Sequence, residues 1–280
     1  MKNLPPVSEM MRAAGLEPKK QFGQNFLFDL NLTGRIARSV PNIAGATVLE
    51  VGPGPGGLTR ALLDAGAARV IAIEKDRATE PILREIQAAS DGRLELIFGD
   101  ALALGHKAYV IRHNEKYAIC ANLPYNVGTE LLVRWLTDAL CPMPYALILM
   151  FQREVAERIV AKAGDKQYGR LAVLTTLVAD AKILFDVKNT AFYPPPKVQS
   201  AVVQIIPKNC PPLGGGCPRS GLGGADIEKI GRLTAKLFGQ RRKMIRGIMP
   251  EVDWSRFDLT GAERAENLSP EKFAEIANAL

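Results

Sequence analysis

The tetrapeptide Asn-Leu-Pro-Tyr at Asn122–Tyr125 carries residue types suited to chemistry on a planar amine. An exocyclic amine such as that of adenine is a poor nucleophile, because its lone pair is delocalised into the ring. The Asn122 side-chain oxygen and the Leu123 carbonyl can accept its two N–H groups, and Pro124 shapes the turn so that this carbonyl points inward. Tyr125 offers a ring on which the base can stack. The tetrapeptide therefore predicts catalysis by positioning and by hydrogen bonds that strengthen as charge develops on nitrogen.

A glycine-rich turn lies upstream, in the run Gly-Pro-Gly-Pro-Gly-Gly that begins at Gly52. It follows a strand-like segment, and Gly52, Gly54 and Gly57 satisfy the spacing GxGxxG. Such a turn allows a ligand to approach the backbone and the N-terminus of the following helix. The spacing alone is shared by dinucleotide sites and S-adenosylmethionine sites.

Two acidic residues at later strand ends narrow this choice. Glu74 lies 22 residues after Gly52, where a carboxylate can accept both hydroxyls of a cofactor ribose in either class of site. Asp100 ends a later strand-like segment, where an acid can accept from the exocyclic amine of adenine. The position of Asp100 fits S-adenosylmethionine better than a dinucleotide, which makes the sulfonium methyl the group that is transferred.

Strands that alternate with helices predict a doubly wound, Rossmann-like α/β sheet around these motifs. The β-branched run Thr47–Gly52 is typical of a buried parallel strand. The other predicted strands are Arg69–Asp76, Arg93–Asp100, Tyr117–Tyr125, Tyr145–Phe151, one within Leu171–Val187, and Val198–Ile206. The predicted helices are Gly57–Gly66, Ala78–Ala89, Thr129–Leu140 and one that starts at Gln152 and ends at Gly164. Because ligands bind at the carboxyl ends of such strands, we expect the motifs to share one cleft.

The length of 280 residues is sufficient for about two domains. Residues 1–206 are predicted to form the methyltransferase domain, which starts with a helical segment containing a polar loop at Lys19–Asp29. Residues 207–224 are dense in proline and glycine, which is typical of a linker. Residues 225–280 have the pattern of helices alone, and we expect a small all-helical domain there.

The composition is that of a globular protein, with 47% hydrophobic and 23% charged residues, and excludes a disordered chain. The longest apolar run, Tyr145–Phe151, is far shorter than the roughly 20 residues that a membrane span needs. The N-terminus lacks the apolar stretch of a secretory signal, so we expect a cytoplasmic protein. A net charge of +7 indicates a polyanionic partner.

The cysteines and histidines predict neither a metal site nor a disulfide framework. The chain has four cysteines without a CxxC pair and two histidines, so we expect reduced thiols and no metal. Methylation of a cytosine carbon would need an attacking thiolate. We expect Cys120 to be buried within its strand, which excludes it from that role.

Over nearly its whole length the chain resembles the 16S ribosomal RNA adenine dimethyltransferases, close relatives of the erythromycin-resistance rRNA methylases. The segments that carry the resemblance are Gln21–Asp29, Val48–Thr59, Val70–Asp76, Phe98–Leu102, Ala121–Asn126, Phe151–Leu174, Phe192–Val203 and Leu237–Gly247. The chain departs from the family pattern at Gln199, where an acid is expected, and in its long linker.

The resemblance implies an S-adenosylmethionine-dependent enzyme of ribosome biogenesis that dimethylates the N6 amines of two adjacent adenosines. These adenosines would lie in a hairpin loop near the 3′ end of 16S rRNA, within the small subunit or its precursor, and we expect the enzyme to be a monomer. The cofactor-binding residues that it implies are Asn25, Leu27, Gly52, Gly54, Glu74, Asp100, Ala101 and Asn122. It also implies that Phe192 stacks on the second face of the target base, opposite Tyr125. We predict that the cluster Arg241, Arg242, Lys243 and Arg246 contacts RNA phosphates.

Several alternatives remain open at this point. Each feature has a structural interpretation: an Asx turn at Asn122, a structural glycine turn, a helix cap at Asp100, a core aromatic at Phe192 and a solvated helix face around Arg241. The functional alternatives are a large-subunit rRNA adenine methylase and a ribosome-assembly factor in which methylation is secondary. A nicotinamide-dependent oxidoreductase is the remaining enzyme class.

Overall fold

The computed structural model describes residues 4–18, 23–104, 116–137, 144–208 and 227–280. The strands are β1 (Phe26–Leu27), β2 (Thr47–Val51), β3 (Arg69–Glu74), β4 (Leu94–Phe98), β5 (Tyr117–Asn122), β6 (Ala146–Gln152), β7 (Ala179–Val187), β8 (Phe192–Tyr193) and β9 (Ser200–Pro207). The α-helices are α1 (Val7–Ala13), α2 (Leu30–Arg38), α3 (Gly57–Asp64), α4 (Glu80–Ala88), α5 (Ala101–Leu104), α6 (Gly128–Thr137), α7 (Arg153–Val160), α8 (Arg170–Val178), α9 (Ile227–Phe238), α10 (Ile245–Ile248) and α11 (Pro270–Ala279).

The central sheet has the order β4-β3-β2-β5-β6-β9-β7. Strands β4, β3, β2, β5 and β6 are parallel to one another, whereas β9 pairs antiparallel with both β6 and β7. The chain builds β3 and β4 on one side of β2 and then returns to place β5 on the other side. This reversal creates a crevice at the carboxyl ends of β2 and β5, the position at which open α/β sheets bind ligands.

Helices cover both faces of the sheet, which confirms the predicted doubly wound fold. Successive residues of a strand point to opposite faces. Val48 of β2 therefore packs in one core cluster with Leu62 of α3. Leu49 packs in a second cluster with Leu132 of α6 and Ile159 of α7. Both faces of β2 are covered, so all five of its residues are buried without alternation.

The N-terminal segment contains a strand that the sequence pattern did not predict. The two-residue strand β1 pairs antiparallel with β8, and Phe26 lies opposite Tyr193. A pair of residues is too short to show a period of two, so only the long-range pairing identifies it as a strand. This ribbon places the polar loop before β1 next to the ends of the central strands.

The predicted extension of a helix to Gly164 is wrong, because α7 ends at Val160. The next residue, Ala161, has an extended backbone. The carboxylate of Asp165 then accepts the backbone N–H of Lys162 at 2.8 Å. A short acidic side chain that bonds its own backbone competes with helix continuation, and this bond explains the early end.

The C-terminal helices α9 and α11 pack directly on α8, and α10 packs against α9. Leu174 of α8 shares one core cluster with Leu237 of α9 and Phe273 of α11. The Tyr168 hydroxyl also donates to the Leu268 carbonyl at 2.9 Å. The predicted helical composition of this region agrees with these elements. The predicted linker at 207–224 lies almost wholly outside the described residues, so the domain boundaries stay a prediction.

Within the described ranges, no helix combines the length and the apolar character that crossing a bilayer requires. Cys120 is a free, buried thiol. Burial raises the pKa of this thiol well above its usual value. This agrees with the prediction that Cys120 is not an attacking thiolate. Cys141, Cys210 and Cys217 lie outside the described residues.

Candidate active site

A cavity of about 250 Å³ lies at the carboxyl ends of β2, β3 and β5. The fold brings most of the predicted site residues into its wall. Those that line it are Asn25, Leu27, Gly52, Gly54, Glu74, Asp100, Ala101, Asn122, Leu123, Pro124 and Tyr125. The glycine turn and the Asn-Leu-Pro-Tyr turn therefore face one shared space, as the strand order requires.

Two glycines permit the close approach of β1 to the glycine turn. Gly54 has a φ of +54°, and a Cβ there would lie 2.9 Å from the ring atom Cε1 of Phe26. A Cβ on Gly57 would lie 2.5 Å from the carbonyl oxygen of Leu27. Both contacts are shorter than real Cβ atoms allow, so a side chain at either position would push β1 away and open the cavity wall.

The loop from Gly23 to Leu27 closes the cavity from above the strand ends. The Gln24 side chain donates to Asp76, after β3, at 2.9 Å. The Asn25 carbonyl accepts from the Asn122 amide, at the end of β5, at 3.1 Å. The loop thus ties together two strands that lie on opposite sides of β2. Gln24 was not among the predicted site residues.

Glu74 is held at the cavity wall by two backbone donors. Its Oε2 accepts from the Gly54 N–H at 2.9 Å, and its Oε1 accepts from the Asp76 N–H at 2.7 Å. Burial raises the pKa of Glu74, and these hydrogen bonds oppose the rise. Each carboxylate oxygen has a second lone pair, so the group can still accept two hydroxyls of a ribose.

Asp100 is a helix cap that also lies in the cavity wall. It caps α5 by accepting the Leu102 N–H at 2.9 Å, and it pairs with Lys75 at 2.8 Å. The Lys75 bond lowers the pKa of Asp100. Asp100 also lines the cavity, so the cap fixes a carboxylate where an adenine amine can reach it.

Glu50 is a cavity residue that the sequence analysis missed. It is the penultimate residue of β2, is almost fully buried, and accepts from the Thr59 hydroxyl at 2.6 Å. Burial raises the pKa of Glu50 to about 8. A neutral carboxyl can donate a hydrogen bond into the cavity as well as accept one. The sequence did contain a signal for Glu50, because burying an acid within the run Thr-Val-Leu-Glu-Val costs free energy unless the group is hydrogen-bonded or neutral.

The Asn122 amide is oriented by the loop before β1. Its nitrogen Nδ2 donates to the Asn25 carbonyl, and the Asn25 side chain donates to the Gly23 carbonyl at 3.1 Å. Among the described residues, no donor bonds to the Asn122 oxygen Oδ1. This oxygen is therefore the free acceptor that an amine in the cavity would meet.

The Tyr125 ring is fixed through its hydroxyl. The hydroxyl lies 2.6 Å from Oγ of Ser200, the buried first residue of β9. Burial raises the pKa of Tyr125, so the phenol stays neutral at physiological pH. The tyrosine therefore presents a neutral, anchored ring in the cavity wall.

Phe192 and the basic residues lie outside the cavity wall. Phe192 is 5% exposed and packs in the core, whereas the adjacent Tyr193 is 49% exposed. Arg241 donates to the Glu266 carboxylate and to the Lys166 carbonyl, each at 2.7 Å. Three basic residues of the cluster are exposed, namely Arg242, Lys243 and Arg246.

The hydrogen-bonding groups of the cavity fit a nucleoside cofactor with an amino-acid tail. Two carboxylates, Glu74 and Asp100, match a ribose and an adenine amine, and the glycine turn leaves its backbone accessible. The described residues contain no group of three or more side chains placed to hold a metal ion. The topology, the nucleoside pocket and the adjacent amine-accepting turn define the class of S-adenosylmethionine-dependent methyltransferases.

Comparison with known proteins gives the family. A profile of the ribosomal RNA adenine dimethylases matches residues 15–280, and the chain belongs to this family. A relative named ribosomal RNA small subunit methyltransferase A from Mesorhizobium japonicum is 48% identical over 99% of this chain and 98% of its own. The protein of that name from Azorhizobium caulinodans is 50% identical over 99% of this chain and 94% of its own.

A solved structure shares the fold at lower identity. A dimethyladenosine transferase from Plasmodium falciparum is 24% identical and has a TM-score of 0.71 over 90% of this chain and 95% of its own. The family membership and the site together confirm the enzyme class and cofactor that the sequence predicted. The chain is an S-adenosylmethionine-dependent rRNA adenine dimethyltransferase.

Proposed function

We propose that the chain dimethylates the N6 amines of two adjacent adenosines in a hairpin loop near the 3′ end of 16S rRNA. The substrate is the small ribosomal subunit or its precursor, and the enzyme acts as a monomer in the cytoplasm. Relatives that are 48–50% identical over nearly the whole chain carry the name small subunit methyltransferase A. Their names support a small-subunit target over a large-subunit one.

One observation carries the proposed chemistry: the Asn122 amide is tethered by its nitrogen to the Asn25 carbonyl in the wall of the nucleoside cavity. In this proposal Asn122 Oδ1 accepts one N–H of the target amine and the Leu123 carbonyl accepts the other. Withdrawing both N–H groups into hydrogen bonds localises the nitrogen lone pair. Tyr125 supports the base from one face. When bound, S-adenosylmethionine supplies an electrophilic methyl group on its sulfonium.

The cofactor would lie along the ends of β2 and β3. Glu74 accepts the ribose hydroxyls, and Asp100 with the backbone of Ala101 binds the adenine. The methionine part lies against Gly52 and Gly54. Asn25, Leu27 and Asn122 complete the wall on the other side, where the loop before β1 covers the cavity.

Phe192 remains the predicted partner of Tyr125 on the second face of the base. Its ring packs in the core here, so stacking requires the side chain to rotate toward the cavity. The exposed basic residues Arg242, Lys243 and Arg246 are proposed to contact RNA phosphates. Arg241 would reach RNA only by giving up its bonds to Glu266 and Lys166.

The test is a methyl-transfer assay on ribosomal particles that lack the modification. The protein is incubated with labelled S-adenosylmethionine and with purified small or large subunits, and the rRNA is digested to nucleosides. We expect labelled dimethyladenosine from small subunits alone, at two adjacent positions of the 16S rRNA. Label in large-subunit rRNA, or methylation at other 16S positions, contradicts the proposal. An Asn122→Ala variant serves as the inactive control.

A further inference from the structure

The segment Tyr193–Gln199, called the rim segment below, connects two walls of the cavity. At its start, Tyr193 lies opposite Phe26 in the ribbon of β1 and β8, and Phe26 lines the cavity. Directly after its end, Ser200 bonds to the hydroxyl of Tyr125 at 2.6 Å. Because both anchors lie in the cavity wall, the rim segment runs along the edge of the cavity.

Most side chains of the rim segment are exposed. Tyr193 is 49% exposed and Val198 is 44% exposed, and Lys197 and Gln199 are also exposed. Among the described residues, Lys197 forms no ion pair. An exposed tyrosine and an exposed lysine in one short segment can together bind single-stranded nucleic acid, the tyrosine by base stacking and the lysine by attraction to a phosphate.

The Tyr193 ring is supported from within the protein. The Phe28 ring lies 6.0 Å from it, centroid to centroid, at an angle of 34°. This contact limits the orientations of the tyrosine and leaves the rest of its surface to solvent. An aromatic residue that is held in place loses less conformational entropy when a base stacks on it.

We propose that the rim segment binds the RNA strand that flanks the target adenosine. Tyr193 stacks on a neighbouring base, and Lys197 contacts a phosphate. This inference rests on the proposed function, because the flanking strand reaches the rim segment only when the target base occupies the cavity beside it. The occupant is the rRNA substrate itself, since an unpaired loop can offer both a splayed base and a phosphate here.

The test compares binding and turnover in the full-length protein. Tyr193→Ala is expected to raise the KM for small subunits about five- to hundredfold, while Tyr193→Phe stays within about twofold of the wild type. The Kd for S-adenosylmethionine is expected to stay unchanged in both. Leu280→Ala removes another exposed apolar side chain, at the far C-terminus, and is the matched control.

Lys197→Gln tests the phosphate contact. Its log–log slope of RNA affinity against salt is expected to be smaller than that of the wild type by about 0.7, the value for one contact with single-stranded RNA. Lys182→Gln, on the edge strand β7, is the control and should keep the wild-type slope. A wild-type KM for Tyr193→Ala together with a wild-type slope for Lys197→Gln would overturn the inference.

The occupant is identified by repeating the measurement with an isolated RNA hairpin of the 16S sequence. Weaker hairpin binding by Tyr193→Ala supports an RNA contact. Weaker binding of particles alone, with unchanged hairpin binding, indicates a ribosomal protein and overturns the inference. Because hairpin binding is measured without methyl transfer, a wild-type enzyme that fails to methylate 16S rRNA contradicts the proposed function separately.

Discussion

The cavity and the C-terminal basic cluster differ in how firmly the fold fixes their side chains. In the cavity, Glu74 is held by the Gly54 backbone and Asn122 is held by the Asn25 carbonyl. In the cluster, Arg242 and Arg246 are exposed at the surface. Groups that are positioned before the substrate arrives stabilise a transition state strongly, whereas exposed charges contribute graded, salt-dependent attraction. Substitutions in the two regions should therefore fail in different ways.

The largest effect is expected at Asn122. Asn122→Ala should lower kcat for methyl transfer about 10²- to 10³-fold, because it removes a positioned acceptor for the target amine. The Kd for S-adenosylmethionine, measured by calorimetry, should rise far less than kcat falls, because Asn122 is only one of the residues that line the cofactor cavity. Asn122→Asp keeps an oxygen that can accept from the target amine but cannot donate to the Asn25 carbonyl. It therefore tests how much of the activity depends on the hydrogen bond that orients the side chain. Full activity in both variants would show that the positioned Asn122 amide contributes nothing to methyl transfer, and the contrast between the cavity and the basic cluster would then fail.

Glu74→Gln tests whether the cavity holds the cofactor through its carboxylate. Bonds to a charged acceptor contribute about 1.5–3 kcal/mol, so the Kd for S-adenosylmethionine should rise roughly 10- to 100-fold. Glu95→Gln removes an acid of β4 whose partner is Arg69 and is the matched control. If both variants bind the cofactor like the wild type, Glu74 is only a structural acceptor for Gly54.

Glu50 should make stability depend on pH. Its pKa is about 8 in the folded protein and near the usual 4.5 when unfolded, so between these values only the folded state holds the proton. The stabilisation is complete below pH 4.5 and is lost as the pH rises through 8, by up to roughly 1.4 kcal/mol per unit. Urea denaturation of the wild type from pH 5 to 8 should show this loss relative to Glu50→Gln. If the free energy of unfolding changes with pH in the same way for both proteins, Glu50 is charged in the folded state across this pH range.

The sequence predicted the parts of the fold that local pattern determines. Continuous apolar runs gave the central strands, and the rule that ligands bind at strand ends placed Glu74 and Asn122 in one cleft. Local pattern could not predict the hydrogen bonds that orient these groups, because their partners are far apart in the sequence. Asn122 and Asn25 are 97 residues apart, and Tyr125 and Ser200 are 75 residues apart. No periodicity encodes such a pairing, and the short ribbon of β1 and β8 escaped prediction for the same reason.

The exposed basic residues should show additive electrostatic behaviour. Arg242→Ala and Arg246→Ala are each expected to weaken RNA binding several-fold at low salt and to reduce the salt slope by about 0.7 to 1. Their effects should fade as salt increases, and kcat at saturating RNA should stay unchanged. A salt-independent loss in either variant would mean that the residue is positioned like a cavity group. Filter binding of the 16S hairpin across a salt series measures both quantities.

Arg241 belongs to the basic cluster, but the fold holds its side chain as it holds those of the cavity. Its substitution is expected to have the smallest effect. Its half-exposed ion pair with Glu266 contributes about 1 kcal/mol or less to stability. Arg241→Ala should therefore lower the free energy of unfolding by about that amount and leave the salt dependence of RNA affinity unchanged. Arg242→Ala should do the opposite, with unchanged stability and a weaker salt dependence. A reduced slope for Arg241→Ala would show that RNA takes Arg241 from Glu266 and the Lys166 carbonyl. Arg241 would then be a residue that the fold holds in place in the free enzyme and that exchanges its protein partners for an RNA phosphate on binding.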